Sequence, residues 1–289
     1  MTIRVGAELA GSFRAGAVAS RELEIVEVSG PEAASFLQGQ VSADLAGAQE
    51  GAAVLSLLLE PNGSLGSLIR ISMLDEARFL IVPPAGRSDE VAARLRRFKL
   101  RTRAEISLRP AVQRVSVDRA QSDAVPLPGA FEDMGIFEWL DIDATGPAPS
   151  SSVDFAVAAG MALVSAEISP DDVPAGTNPY ELGTEMVAAA VSFTKGCYTG
   201  QELIARVDAR GAAAPFRFVG IEAEQDLASG DEVEVDGQSV GEVCRTAFLG
   251  EGAVRGLARL ARKIDLLSPR LAFVGGEAVR LFDKASKAS

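Results

Sequence analysis

Lys195-Gly196-Cys197-Tyr198-Thr199-Gly200-Gln201-Glu202 concentrates more reactive chemistry than any other stretch of this chain. A thiol stands two residues after an ammonium, and a nearby positive charge favours the thiolate, the reactive form of cysteine. Two glycines bracket the Cys-Tyr pair, so the backbone can turn sharply or approach a ligand closely. Glu202 and Arg206 are four residues apart, a spacing that pairs them across one helical turn for roughly 0.2–0.5 kcal/mol. Each residue also has a plainer reading. A lone cysteine is more often a small buried filler than a nucleophile, and Tyr198 can be an aromatic packed on the turn. Cys244, in the strand-like run Val243-Cys244-Arg245-Thr246, reads as structural.

The 289-residue chain contains no histidine. That excludes a Ser-His or Cys-His relay, an HExxH zinc site and an imidazole base. Two cysteines without histidine also fall short of the four ligands an iron–sulfur cluster ordinarily takes. Two cysteines make no disulfide framework, and the first ten residues carry no secretory pattern, which suggests a reducing cytoplasm. No window approaches the roughly 20 apolar residues of a membrane span. The formal net charge of −12 argues against a general nucleic-acid binder. The charge is unevenly spread: residues 87–109 carry eight cations against three anions, and residues 110–192 carry two against thirteen. Such blocks are either solvated faces of opposite sign or a cationic wall beside an anionic ligand.

Lys-Gly-Cys-Tyr-x-Gly-Gln-Glu followed by Ala205-Arg206 resembles the signature of the YgfZ family of folate-binding proteins, relatives of the glycine-cleavage T-protein. Phe36-Leu37-Gln38-Gly39-Gln40-Val41-Ser42-Ala43-Asp44 resembles that family's Phe-Leu-Gln-Gly-Gln segment, and Leu59-Glu60-Pro61-Asn62-Gly63 its hairpin turn. Two departures stand out: residues 161–168 lack the family's Arg-Ile-x-x-Gly-Ile-Pro stretch, and Ser64 replaces a commonly basic residue. The resemblance implies an α+β, T-protein-like fold with antiparallel sheets and a C-terminal β-barrel-like domain. It implies tetrahydrofolate or a one-carbon derivative as cofactor, and iron–sulfur client enzymes as partners, including one that methylthiolates tRNA. On this reading Cys197, Lys195 and Tyr198 are the reactive group. Gln38, Gln40, Asp44, Arg101, Gln201, Glu202 and Arg206 face the cofactor. An aminomethyltransferase-like one-carbon enzyme and a non-catalytic scaffold stay open as alternatives. For Asp44 a turn cap is an equal reading, and for Arg101 a solvated helix end.

The elements that must position these residues follow from pattern. Residues 23–28 alternate as a strand. Ser29-Gly30-Pro31-Glu32 then opens a short helix, with Ser29 as cap and Glu32 closing a capping box. Residues 53–59, 65–73 and 78–82 read as an antiparallel meander turning at Asn62-Gly63. Residues 88–100 form a helix capped by Ser88, with Val91, Leu95 and Phe98 on its apolar face and Arg94, Arg97 and Arg101 on another. Residues 104–108 and 112–117 read as two strands. Residues 146–152 read as a loop, 170–179 as irregular and 284–289 as a disordered tail. Short strands at 216–222, 232–235, 239–248 and 278–282 suggest a small β-domain, placing a boundary between an α+β region (1–212) and a C-terminal unit (213–289). Trp139 reads as a core or junction aromatic.

Overall fold

Residues 2–4, 18–117, 125–127, 136–142, 173–211, 214–250, 253–266 and 272–282 are described by a computed structural model of the chain. The expected loop at 146–152, the departure at 161–168 and the tail lie outside the described residues.

Seven strands form an antiparallel sheet in the order β3-β4-β5-β2-β6-β8-β7. They are β2 (Val18–Ser29), β3 (Ala53–Leu59), β4 (Leu65–Asp75), β5 (Arg78–Val82), β6 (Glu105–Val117), β7 (Val125–Pro126) and β8 (Ile136–Asp141). Strand alternation sorts β2 cleanly. Val26 and Val28 join one core with Leu37, Val91 and Leu95, whereas Ile25 joins the opposite core with Leu80, Val82 and Leu140. The first core is covered by α1 (Ala33–Gln38) and α2 (Ser88–Phe98).

Three local expectations are corrected. The helix after Gly30 has no capping box: Glu32 is its N-cap without a side-chain bond, and its carboxylate instead accepts from Arg103 N (2.7 Å) and Nε (2.9 Å). Ser88 is not the cap of α2, since Arg87 holds that position and the buried Ser88 hydroxyl donates to the Glu24 carbonyl. Residues 105–117 form one strand, because β8 pairs only with residues 112–117 and the missing N–H of Pro110 lies beyond its reach. Trp139 is buried, as a core residue should be.

The second sheet closes on itself. The strands β9 (Phe216–Ala223), β10 (Glu232–Val235), β11 (Gln238–Gly250), β12 (Ala253–Ala261), β13 (Ala272–Val274) and β14 (Glu277–Phe282) run β11-β10-β13-β14-β9-β12 and back to β11. This six-stranded barrel carries β1 (Thr2–Arg4) in parallel on β11. β12 was not foreseen, because Ala-Val-Arg-Gly-Leu-Ala-Arg-Leu-Ala dilutes the period-2 signal with small residues.

A shared core joins the two sheets. Leu57, Leu59, Leu65 and Leu68 pack with Leu182, Val187, Tyr198 and Ile204, and with Phe218 and Leu257 of the barrel. Between them lie a 3₁₀ turn (Pro179–Leu182), α3 (Thr184–Ala190) and α4 (Gln201–Ala209). Arg259 of the barrel binds the buried Glu181 at 2.7 Å, and the Tyr180 hydroxyl donates to Asp208 at 2.7 Å. Among the described residues no helix is long and apolar enough to cross a membrane.

Candidate functional site

The signature folds as a tight turn leading into α4, and its side chains alternate in direction. Lys195 and Tyr198 go inward, with 9% and 7% exposure, whereas Cys197 is exposed with a free thiol. Lys195 Nζ donates to the carbonyls of Val41 (2.9 Å) and Ala43 (2.7 Å) and lies 5.0 Å from the Tyr198 ring centroid. The Lys195 ammonium thus fastens the loop that follows α1, a role that its place two residues before Cys197 does not announce. The Tyr198 hydroxyl donates to the Ser192 carbonyl at 3.3 Å, and burial pushes the phenol up to about 12, so it stays protonated.

Gly200 fixes the turn. Its φ is +82, the left-handed region, and it is the N-cap of α4. A Cβ there would meet Leu59 Cβ at 2.6 Å and the Glu60 carbonyl at 2.8 Å. Gly63, also left-handed at +73, sits where a Cβ would meet Leu203 Cβ at 2.5 Å. The hairpin turn and the signature therefore touch backbone to backbone, which two side-chain-free positions permit. Arg94, expected on a helix face apart from Val91, Leu95 and Phe98, turns inward. It donates to the Leu59 carbonyl, and its Nε lies 3.4 Å from Glu60. Burial lowers its pKa from the ordinary value. Ser64 and its hydroxyl close an Asn62 turn at 3.0 and 2.7 Å.

The loop after α1 is held from several sides. Gln38 donates to Asp44 Oδ1 (2.7 Å) and accepts from Leu45 N (2.8 Å), and Asp44 also accepts from Ala46 N (3.0 Å). The Ala46 amide, then Gln38, then the more distant Lys195 charge hold the Asp44 carboxyl below its ordinary value. Gln38 and Asp44 are in this arrangement loop-builders, the turn-cap reading of Asp44. Ser42 lies at the centre: its hydroxyl donates to the Ala190 carbonyl (2.6 Å) and accepts from Leu57 N (2.8 Å), and its carbonyl accepts from Ser192 N (2.9 Å). Ala43 N donates to Ser56 Oγ at 2.9 Å, and Thr199 N to the Gly39 carbonyl at 3.3 Å. The Gln40 side-chain oxygen is buried and accepts no hydrogen bond from the described residues.

The structure thus brings Gln38, Gln40, Asp44, Lys195 and Tyr198 together with the turn that carries Cys197. Gln201 opens α4 beside them, half-buried. Glu202 and Arg206 pair at 2.6 Å on the exposed face of α4, as their spacing predicts. Arg101 is not brought in. It is exposed beyond the end of α2, near Arg103 and Glu32 at the start of α1, about 9 Å of helix from Gln38. Ser42, Ser56, Ser192 and Arg94 were missed as positioning residues. Only Ser42 had a sequence signal, its place in the Phe-Leu-Gln-Gly-Gln segment. Two cavities of about 440 and 560 Å³ lie away from the signature, at the barrel mouth by Phe216 and Lys263 and between Arg87, Pro174 and Cys244. Among the described residues no cluster of His, Cys, Asp and Glu could hold a metal ion.

Lys195 gives a pH prediction. Burial pushes its ammonium from 10.5 down to about 8, with Asp44 opposing the shift. Between those values the unfolded chain binds a proton that the folded chain has released, so this residue's contribution to stability rises with pH over that window. The stability gap between the wild type and Lys195→Met, measured by denaturant titration from pH 7 to 11, should widen as pH rises. A narrowing gap would mean that the two carbonyls hold the proton through the whole range.

No family model matches the chain. A protein from Haemophilus influenzae with no assigned function is 24% identical over 235 residues, 74% of this chain and 76% of that protein. The tRNA-modifying protein YgfZ of Klebsiella pneumoniae is 24% identical over 222 residues, 65% of this chain and 66% of that protein. The tRNA-modifying protein YgfZ of Yersinia pestis is 31% identical over 119 residues, 40% of this chain and 30% of its own length. The matched region therefore spans about two thirds of the YgfZ relatives or less. Among solved structures, the glycine cleavage system aminomethyltransferase T of Bartonella henselae superposes with a TM-score of 0.70 at 15% identity, covering 96% of this chain and 87% of that one.

Proposed function

We propose that this chain, which belongs to the YgfZ/T-protein-like family, is a tetrahydrofolate-binding accessory protein that sustains an iron–sulfur enzyme of tRNA modification, with Cys197 as its working thiol. The observation that carries the reading is the pairing of an exposed thiol with a rigidly held loop offering an unpaired buried amide oxygen. Gln40 Oε1 is an acceptor in want of an N–H donor, and a pterin ring presents amide-like and amino N–H groups. Gln201 and the second oxygen of Asp44 supply further polar partners of the right kind. The donor set therefore fits a folate. Tetrahydrofolate, when bound, carries one-carbon units on its nitrogen atoms.

This chain's own residues do the rest. Lys195, Ser42 and Gln38 fix the loop, so Gln40 is held in place before any ligand arrives. Gly200 and Gly63 lock the signature turn on the hairpin, which holds Cys197 at the surface where a client can reach it. The tRNA link rests on the relatives' name, and the iron–sulfur client on the family resemblance. In this reading residues 1–212 form the folate-binding region and 213–289 the closing barrel. The chain works in the cytoplasm and contacts RNA only through its client.

Anaerobic calorimetry with purified protein tests the first half. Tetrahydrofolate should bind at micromolar Kd or tighter. Gln40→Ala should weaken it by about 10- to 100-fold, the worth of roughly 1–3 kcal/mol for a buried hydrogen bond. Absence of binding would sink the folate reading. For the thiol, Cys197→Ser should keep folate affinity and change stability by less than about 0.5 kcal/mol, since the side chain is exposed. It should nevertheless fail to restore tRNA modification in a deletion strain. Full complementation would remove Cys197 from the function. Folate-dependent methylene transfer from an aminomethyl donor, with release of ammonia, at enzyme-like rates would favour the one-carbon enzyme instead.

A further inference from the structure

The C-terminal end of α2 carries an apolar knob among cations of which, among the described residues, only Arg103 has a carboxylate partner. Leu100 is 80% exposed, and Phe193, at 40%, is the next most exposed large apolar side chain among the described residues. Arg101 follows in the left-handed region with φ of 55. That conformation is disfavoured for a residue that carries a side chain. The helix has already ended at Phe98, with Lys99 leaving the helical region at φ −80 and ψ 74, so Leu100 stands in the turn beyond it, exposed to solvent.

The neighbouring charges are held but not quenched. Arg96 donates to the Ile106 carbonyl (3.0 Å) and Lys99 to the Ala104 carbonyl (2.5 Å), so both keep their full charge. Arg97 lies over the Phe98 ring at 5.0 Å, and no hydrogen bond or ion pair from a described residue reaches Arg101. Arg103 alone is matched, by Glu32. Along residues 96–105 four cations therefore stand against the one remaining carboxylate of that stretch, Glu105, on a chain whose net charge is −12.

We infer that this end of α2 is a docking surface for an acidic protein partner, with Leu100 entering an apolar notch and Arg97 and Arg101 forming the charged rim. On a chain of net charge −12 a local cationic patch favours the approach of an acidic partner there and sets its orientation. The knob decides between protein and nucleic acid. A phosphate backbone gains nothing from an exposed leucine, and single-stranded RNA would call for exposed stacking aromatics, whereas the nearest aromatic, Phe98, is half-buried. The surface is independent of the folate reading and lies at the far end of α1 from Gln38.

The test is photo-crosslinking in cells with Leu100 replaced by p-benzoylphenylalanine, followed by mass mapping of the adduct. The expected result is one protein, crosslinked within a segment rich in Asp and Glu. That protein, once purified, should bind the wild type with an affinity that falls about tenfold or more from 50 to 300 mM salt. Arg97→Glu with Arg101→Glu should cost a further tenfold or more. Arg97→Gln with Arg101→Gln should act in the same direction but less. Tetrahydrofolate affinity and the melting curve of these variants should match the wild type, which separates failure here from failure of the folate site. RNA adducts, adducts unaffected by charge reversal, a second copy of this chain, or no adduct would each overturn the proposal.

Discussion

Gly200→Ala is expected to destabilise the protein by about 3 kcal/mol and to lower its apparent melting temperature by about 8 °C. Two costs add. A left-handed φ of +82 penalises any Cβ by about 1–2 kcal/mol. The new atom would also sit 2.6 Å from Leu59 Cβ and 2.8 Å from the Glu60 carbonyl, overpacking of a kind that costs about 1–3 kcal/mol. The temperature shift follows from roughly 2–4 °C per kcal/mol for chains of this size. Relief by a shift of the hairpin is blocked, because Arg94 holds the Leu59 carbonyl and Gly63 abuts Leu203 from the other side. Thermal melts and urea titrations of Gly200→Ala against the wild type check this. A change below about 1 kcal/mol would show that the hairpin gives way easily and that the backbone contact does not fix the turn.

Lys195→Met should cost a similar amount, about 3 kcal/mol, by a different route. Methionine fills the same space, so packing is nearly kept. The Val41 and Ala43 carbonyls then lose their donor in a buried setting, at about 1–3 kcal/mol each. Removing a desolvated ammonium returns part of that. The ammonium keeps Asp44 as a nearby counter-charge, so the lost bonds outweigh the gain. The effect should also be local. Hydrogen exchange should quicken at Leu45 and Ala46, whose amides depend on the loop geometry, before it changes in the barrel. Tetrahydrofolate affinity should fall with it, since Gln40 sits on the loosened segment. Unchanged exchange and affinity would demote Lys195 to a bystander of the turn.

The strands β2 to β5 of the first sheet were legible because their pattern is local, whereas β7 and β8 were not foreseen and β6 read as two strands. The Asn62-Gly63 turn was legible too, and so was the Glu202–Arg206 pair. What escaped was long-range. Nothing near Lys195 in sequence says that its partners are Val41 and Ala43, about 150 positions earlier. Reading it beside Cys197 assumed that neighbours in sequence share a direction, and a turn that alternates inward and outward side chains breaks that assumption. Arg94 was read from helical spacing alone, but the hairpin beside α2 offered it the Leu59 carbonyl. Gln38 and Asp44 were recognised as a motif, yet the sequence could not separate residues that touch a ligand from residues that shape the loop presenting one. The barrel's closure was half legible, since β10 and β14 alternate well and β12 is too rich in alanine and glycine to do so.

β3 ends its sheet on one side, with β4 as its only strand partner among the described residues. Its sequence, Ala-Val-Leu-Ser-Leu-Leu-Leu, has no charge and no proline. Left bare, such an edge is a template for pairing with another chain and a seed for aggregation. Here the loop containing Ser42 lies along it: the Ser42 hydroxyl accepts from Leu57 N, and Ala43 N donates to Ser56 Oγ. The segment that presents Gln40 is therefore also the guard of the sheet's open edge. A variant that loosens it would lose solubility, so a loss of function in cells must be read against the amount of protein that remains in solution.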